Sequence, residues 1–129
     1  MVVRDPTDAE VDLLFHALAD STRRDIVARA FSAEQSVSAL AEHYAMSFAA
    51  VQKHVAVLER ASLVIKERRG RQQIVRGNLN AIRVASTLID EFEQIWISRA
   101  ARMDELLAEP DGETSTMHTD QSPTEGKTP

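Results

Sequence analysis

Cationic side chains are concentrated in the middle third of the 129-residue sequence. Residues 53–83 contain 8 basic and 2 acidic side chains, whereas residues 1–52 contain 4 and 8, and residues 84–129 contain 3 and 10. The net charge of −5 therefore hides a strongly positive segment between two acidic ones. Because phosphate groups respond to the local field, this segment could bind a polyanion although the whole chain is acidic.

Other kinds of chemistry have little support in the sequence. The chain has no cysteine, which excludes disulfides, thiolate metal sites and cysteine nucleophiles. A phosphate-binding glycine loop, a zinc-hydrolase motif and a nucleophile–base pair are absent as well, so we expect no catalytic residue, no metal and no cofactor. The four histidines lie in separate segments and are expected to be surface or packing residues: His16, His43, His54 and His118.

Apolar periodicity and capping residues predict the elements that position the basic segment. The predicted helices cover residues 8–19, 22–31, 37–44 and 48–61. Each follows a side chain that can cap it, namely Thr7 in a capping box with Glu10, then Asp20 or Ser21, then Ser36, and then Ser47. Residues 32–35 are predicted to be a polar break, and residues 45–46 a tight turn.

The fourth helix is expected to bury one face and to present a basic face of low bulk. Its predicted buried residues lie within about 80° on a helical wheel: Phe48, Val51, Val55 and Leu58. The opposite face carries cations and small side chains: Ala49, Lys53, Ala56 and Arg60. Because small side chains permit close approach to a groove, helices three and four predict a DNA-binding helix-turn-helix.

A hairpin with a cationic tip is predicted directly after this helix. Residues 63–68 and 72–76 are β-prone and flank Gly70. The arginines at its tip cannot be buried cheaply, so the hairpin should project into solvent or against an anionic partner. The predicted contacts to double-stranded DNA are Ser47, Ala49, Gln52, Lys53, His54, Arg60, Arg68, Arg69, Arg71 and Gln73.

Roles can be assigned to some of these contacts. The amide of Gln52 can pair with the edge of adenine, and Ser47 at a helix N-terminus can hold a phosphate. For His54, a half-buried structural position is an equally good interpretation.

The last helix is predicted to run from Asn78 or Asn80 to about Leu107, with an apolar stripe too wide for a small monomer to cover. We therefore expect a homodimer that packs this helix and the first helix across a two-fold axis. The predicted interface residues are Leu14, Ile82, Ile89, Phe92, Trp96, Met103 and Leu106. Residues 1–107 would form one DNA-binding and dimerisation domain, and residues 108–129 a disordered acidic tail.

The chain resembles the ArsR family of bacterial winged-helix repressors between Leu14 and Arg76. The matching segments occur in order, and they are LFHALADSTRRDIV at 14–27, SVSALAEHYAMS at 36–47, AAVQKHVAVLERASLV at 49–64 and RRGRQQIVR at 68–76. Ser62 departs from the glycine that most members have there, and a left-handed serine costs on the order of 1 kcal/mol. The family's usual metal sites are absent, because the last helix contains no histidine and the third helix no cysteine.

The resemblance implies a mainly α-helical winged helix-turn-helix with about five helices, a two-stranded wing and a homodimer that represses by occupying an operator. No apolar run is long enough to span a bilayer and the first residues are acidic, so we expect a cytoplasmic protein without membrane contact. An effector ligand, if there is one, is not identifiable from the sequence. The alternative function is a winged-helix module that docks an acidic protein partner through its arginine-rich wing.

Overall fold

The computed structural model describes residues 5–108 and contains five helices and three strands in that range. In chain order they are α1 (Asp8–Leu18), α2 (Ser21–Ser32), β1 (Gln35–Ser36), α3 (Val37–Ala41), α4 (Phe48–Arg60), β2 (Val64–Arg69), β3 (Gln72–Gly77) and α5 (Leu79–Ala108). The chain divides into two compact units after Leu88, so α5 contributes to both.

Polar side chains begin the first four helices as the sequence predicts. The backbone N–H of Glu10 donates to Thr7 Oγ1 at 3.1 Å, and the N–H of Thr7 donates back to Glu10 Oε1 at 2.8 Å, which completes the capping box. Asp20 caps α2, Ser36 caps α3 and Ser47 caps α4, each by accepting a backbone N–H three residues later. These caps fix where each helix starts.

Two arginines close the opposite end of α1. Arg23 Nε donates to the carbonyl oxygen of Ala17, and Arg24 Nη1 donates to that of Leu18, each at 2.8 Å. The last carbonyls of a helix have no partner within the helix, so these guanidinium groups satisfy acceptors that would otherwise need water. The α1–α2 corner is thereby held by side chains of α2.

Ser62 ends α4 in the left-handed conformation, with φ of 62°. The N–H of Leu63 donates to the carbonyl oxygen of Leu58, and the N–H of Ser62 to that of Glu59, both at 3.0 Å. This pair of bonds is a Schellman motif, which turns the chain from α4 into β2. The motif normally has glycine at this position. Both of its hydrogen bonds are formed here although the residue is a serine.

The predicted two-stranded hairpin is formed by β2 and β3, and a short strand that the sequence did not predict, β1, adds to it to give a three-stranded sheet. All pairs are antiparallel in the order β1-β3-β2, and β1 pairs through Gln35 with Val75 and Ser36 with Ile74. A two-residue strand has no periodicity to detect, so the sequence indicated only a polar break there. The third helix also ends at Ala41 and not at Tyr44.

The core of the first unit lies between the helices and one side of the sheet. Its largest fully buried side chains come from α2, α3, α4, the strands and the residue just before β2: Ile26, Leu40, Val51, Val55, Leu58, Leu63, Val64 and Val75. Phe48 is 45% exposed, which corrects its predicted place on the buried face. As the first residue of α4, it lies one turn before the helix packs against the core through Val51.

The second unit is described from Ile89 to Ala108 as a helix with many exposed apolar side chains. Asn78 caps α5, since its Oδ1 accepts the N–H of Asn80 at 3.2 Å. Among residues 5–108, no helix is long and apolar enough to cross a membrane. Apart from Ala108, the predicted acidic tail (residues 108–129) lies outside the described residues.

Candidate nucleic-acid interface

The exposed surface of α4 carries cations and small side chains. Val51, Val55 and Leu58 anchor the helix at 0% exposure. On the far side, Gln52, Lys53 and Arg60 are exposed, and neither cation has an ion-pair partner among residues 5–108. Ala49 is exposed and Ala56 half-buried, so the surface between the cations has little bulk. We call Ala49, Lys53, Ala56 and Arg60 the outer face of α4.

Ser47 sits at the N-terminus of this helix as the sequence predicts. Its Oγ accepts the backbone N–H of Ala50 at 3.1 Å, and the residue is exposed. The hydroxyl proton remains available to donate to an anion next to the positive end of the helix dipole.

His54, which is also a predicted contact, lies on a different side of α4 from its outer face. Its Nδ1 is 3.4 Å from Arg23 Nη1 and 4.0 Å from Asp20 Oδ2, and its side chain is 23% exposed. Arg23 is held by backbone carbonyls of α1, so this group belongs to the α1–α2 corner. The structure therefore favours the structural interpretation of His54 over a contact to DNA.

The wing, which we define as residues 64–77, is a hairpin with a two-residue turn. Arg69 pairs with Gln72, which leaves Gly70 and Arg71 at the tip. Gly70 has φ of 61°, a conformation that favours glycine, and has open space around it. A positive φ at the first of two central residues is the pattern of a type II′ hairpin turn. The tip thus projects freely from the sheet.

The predicted contacts of the wing are divided between its two faces. Opposed residues of an antiparallel pair share a face, and the register pairs Lys66 with Val75 and Arg68 with Gln73. This is the face of the core, and Lys66 Nζ there lies 3.6 Å from Glu59 Oε1 of α4. Arg68 and Gln73 therefore share a face with α4.

Arg69 lies on the other face, together with Glu67 and Arg76. Its Nη1 donates to Glu34 Oε1, and its Nε lies 3.2 Å from Glu67 Oε2. The hydrogen bond to Glu34, followed by that to Glu67, raises the pKa of Arg69 above its usual value, and the bond from Arg69 lowers the pKa of Glu67. Of the predicted wing cations, Arg69 is the one already engaged by carboxylates.

Arg68 and Arg71 have no carboxylate partner among the described residues. Arg68 Nε donates to the carbonyl oxygen of Gly70 at 3.0 Å. The two terminal nitrogens of its guanidinium group can therefore still donate to another acceptor. Arg71 is exposed at the tip. The freely available charge of the wing therefore comes from these two residues.

A polar cluster fastens the helix-turn-helix turn to α2. The hydroxyl of Tyr44 donates to Asp25 Oδ2 at 2.6 Å, and Arg29 Nε donates to the same oxygen at 2.8 Å. Burial, followed by the hydrogen bond to Asp25, raises the pKa of Tyr44 to about 12. The bonds from Tyr44 and Arg29 lower the pKa of Asp25. This cluster holds the segment that leads into α4.

Sequence reasoning missed three residues of this surface. Met46 and Phe48 flank Ser47 and are 36% and 45% exposed, so the entrance to α4 is more apolar than expected. Glu34 is the partner of Arg69, and its position 35 residues away gave no signal in the sequence. Among residues 5–108, no group of three His, Asp or Glu side chains is arranged to hold a metal ion.

The predicted dimer residues are divided between the two units. Leu14 is 3% exposed within the core and Ile82 packs against that core, so Leu14 has almost no surface to offer a second chain. In the second unit, the other five are all more than half exposed: Ile89, Phe92, Trp96, Met103 and Leu106. We call these five residues the apolar stripe.

A short helix-turn-helix followed by a β-hairpin wing, with cations exposed on both, defines a winged helix-turn-helix DNA-binding fold. Solved structures share it. An ArsR-like transcriptional regulator from Rhodococcus sp. RHA1 is 28% identical over 76% of this chain and 92% of its own, with a TM-score of 0.68. A "possible transcriptional regulator for arsenical resistance" is 32% identical over 74% of this chain and 94% of its own, with a TM-score of 0.59.

A third similar structure is the homodimeric winged helix-turn-helix DNA-binding domain of a possible ArsR-family transcriptional regulator from Mycobacterium bovis. It is 22% identical over 72% of this chain and 94% of its own, with a TM-score of 0.55. No family model matches the sequence, and no curated protein matches it. The chain belongs to the ArsR family of transcriptional regulators.

Proposed function

We propose that this regulator is a homodimeric repressor that occupies a promoter operator in the cytoplasm. The observation that carries the proposal is the outer face of α4, where Lys53 and Arg60 are exposed without a carboxylate partner among the described residues. A polyanion with a groove matches such a surface, because phosphates can meet the cations while the small residues allow close approach.

In the proposed complex, α4 enters the major groove. Gln52 reads a base edge through its amide, which can donate to and accept from adenine. Lys53 and Arg60 bind phosphates beside the groove, and Ser47 binds a phosphate at the helix N-terminus. Affinity would then come mainly from the cations and discrimination mainly from Gln52.

The wing binds flanking DNA through its tip. Arg71 is exposed there and Arg68 shares the face of α4, so these two side chains can reach the backbone or the adjacent minor groove. The wing thus extends the contact beyond the groove that α4 occupies.

The apolar stripe is the proposed contact between two copies. The five large apolar side chains of the stripe are each more than half exposed, which is costly in water unless another surface covers them. The regulator from Mycobacterium bovis is described as homodimeric, which supports a second copy as the cover. A dimer would place two α4 helices in successive major grooves, about 34 Å apart, and would exclude polymerase sterically.

The experiment is a salt series on the DNA to which the protein binds. Purified full-length protein selects its site from random duplexes, and the affinity for that site and for a scrambled duplex is measured by fluorescence anisotropy. If a dimer neutralises six to ten phosphates, the affinity falls about 10³–10⁵-fold between about 50 and 200 mM salt.

The alternative of a protein-docking module gives a different result. Such a module would select no sequence and would bind the recovered and the scrambled duplex equally at every salt concentration. That outcome would contradict the proposal.

A further inference from the structure

Arg69 is the one cation near the tip of the wing whose guanidinium group is already bound on two sides within the described residues. Glu34 lies in the loop before β1 and bonds Arg69 Nη1, while Glu67 of β2 lies 3.2 Å from Arg69 Nε. A guanidinium fork binds carboxylate and phosphate oxygens with the same geometry. The two carboxylates therefore occupy donors that a DNA phosphate would need.

The two carboxylates are not equivalent. Glu67 is shared, because its second oxygen lies 3.5 Å from Arg76 Nε on β3. Glu34 has Arg69 as its ion-pair partner and no other among residues 5–108. Both side chains of the Glu34–Arg69 pair are more than two-fifths exposed, at 43% and 48%, so the pair faces solvent. It can be exchanged for a phosphate contact without opening the core.

We propose that Glu34 acts as an internal substitute for phosphate that holds Arg69 back from DNA, and so lowers the affinity for non-specific sequences. This inference rests on the proposed function. Arg71 would remain the phosphate contact of the tip, because it lacks a carboxylate partner among the described residues. Glu34 would then set how many phosphates each wing neutralises.

The test is a cycle of four full-length proteins: wild type, Glu34→Gln, Arg69→Gln and the double variant. Glu34 is an exposed loop residue, so its amide variant keeps the shape of the side chain and leaves the fold intact. Each protein is titrated with a random-sequence duplex over a salt series, and the slope of log affinity against log salt is measured. Far-ultraviolet circular dichroism verifies that all four are folded.

Glu34→Gln is expected to tighten non-specific binding by about 1.4–5-fold per protomer, the range that corresponds to an exposed ion pair. The salt slope should steepen by about 1.8 per dimer, because each released arginine adds about 0.9. Arg69→Gln alone should change the affinity less than about twofold and leave the slope unchanged. The double variant should behave like Arg69→Gln.

Three results would overturn the inference. Unchanged or weakened binding of Glu34→Gln would mean that the ion pair only supports the wing. A gain that persists in the double variant would reflect the loss of a negative charge alone. A salt slope flattened by about 1.8 in Arg69→Gln would show that Arg69 already binds phosphate in the wild type.

The proposed function is tested separately by the wild type. If the wild type shows neither sequence selection nor salt-dependent binding, the proposed function fails. If it shows both and the cycle shows no coupling between Glu34 and Arg69, only this inference fails.

Discussion

At the residue scale, Tyr44 connects the turn before α4 to α2 through Asp25. Its phenol is partly buried and bonds a carboxylate, and both effects oppose ionisation, with burial the larger. The raised pKa means that this contact stabilises the fold fully below the ordinary pKa of 10.0 and that the stabilisation is lost as the pH rises through about 12.

Tyr44 is the only tyrosine, so its ionisation can be followed directly by near-ultraviolet absorbance. We expect a titration midpoint near 12 in the wild type. Asp25→Asn should lower the midpoint without restoring 10.0, because the burial remains. A wild-type midpoint at 10.0 with the circular dichroism still native would show that the Tyr44–Asp25 bond does not form in solution.

Ser62 is a second residue whose backbone can be tested. A non-glycine residue in the left-handed conformation costs the folded state about 1–2 kcal/mol. Glycine removes this cost, but part of the gain is lost because glycine gives up more backbone entropy on folding. We expect Ser62→Gly to raise the free energy of unfolding by about 0.5–1 kcal/mol in urea denaturation.

Ser86→Gly is the matched control, because it makes the same chemical change at an exposed position inside α5. That variant should lose about 0.5 kcal/mol. Equal effects of the two substitutions would contradict the left-handed conformation of Ser62.

Residue roles that depend on local sequence were predictable, and those that depend on the fold were not. Each cap acts within three residues of its side chain, so Thr7, Ser36 and Ser47 could be assigned from spacing alone. The engagement of Arg69 by Glu34 needs β1 beside β3, which no local pattern encodes.

At the element scale, α4 and the wing are expected to contribute differently to binding. A base contact acts on one sequence, whereas a phosphate contact acts on all of them. Arg71→Ala should weaken binding to the selected site and to scrambled DNA by the same factor and should flatten the salt slope by about 1.8 per dimer.

Gln52→Ala should instead weaken the selected site by about 1–3 kcal/mol per contact and leave scrambled DNA almost unchanged. Both effects are measured in the same anisotropy titrations. Identical behaviour of the two variants on both duplexes would show that these roles are wrongly assigned.

The elements themselves followed from periodicity where they were long enough to show it. The face of α4 carried by Val51, Val55 and Leu58 is buried as predicted. Phe48 lies on the same face of the helical wheel but is exposed. A helical wheel shows only the angle of a residue around the axis and not where along the axis the helix begins to pack against the core. The two residues of β1 are too few for any alternation.

At the scale of the whole molecule, the acidic net charge conceals the surface that matters. Residues 53–83 supply the basic side chains of α4 and the wing, while the flanking segments bring the total to −5. Binding to DNA should therefore depend on these positions and not on the overall charge.

A single charged substitution within the apolar stripe tests whether this surface forms the dimer. Phe92→Asp places a carboxylate among the exposed apolar residues of α5, so it should yield a monomer in size-exclusion chromatography with light scattering. It should also lose most of the affinity for the selected site, because two linked half-sites bind far better than one.

Ser98→Asp adds the same charge about 120° around this helix from Phe92, outside the apolar stripe, and should remain dimeric. A wild type that is a monomer at micromolar concentration, or a dimeric Phe92→Asp, would contradict the proposed interface.

If α4 and the wing together face DNA, iron chelates tethered to these two elements should cut the DNA beside them. Because the chain has no cysteine, Glu59→Cys on α4, Gln72→Cys on the wing and Ala28→Cys on the exposed surface of α2 can each carry a single iron chelate. We expect the α4 label to cut the selected site at two positions about one helical turn apart, the wing label to cut outside them, and the α2 label to cut weakly. Strong cleavage from α2 with none from α4 and the wing would show that a different surface of the protein faces DNA.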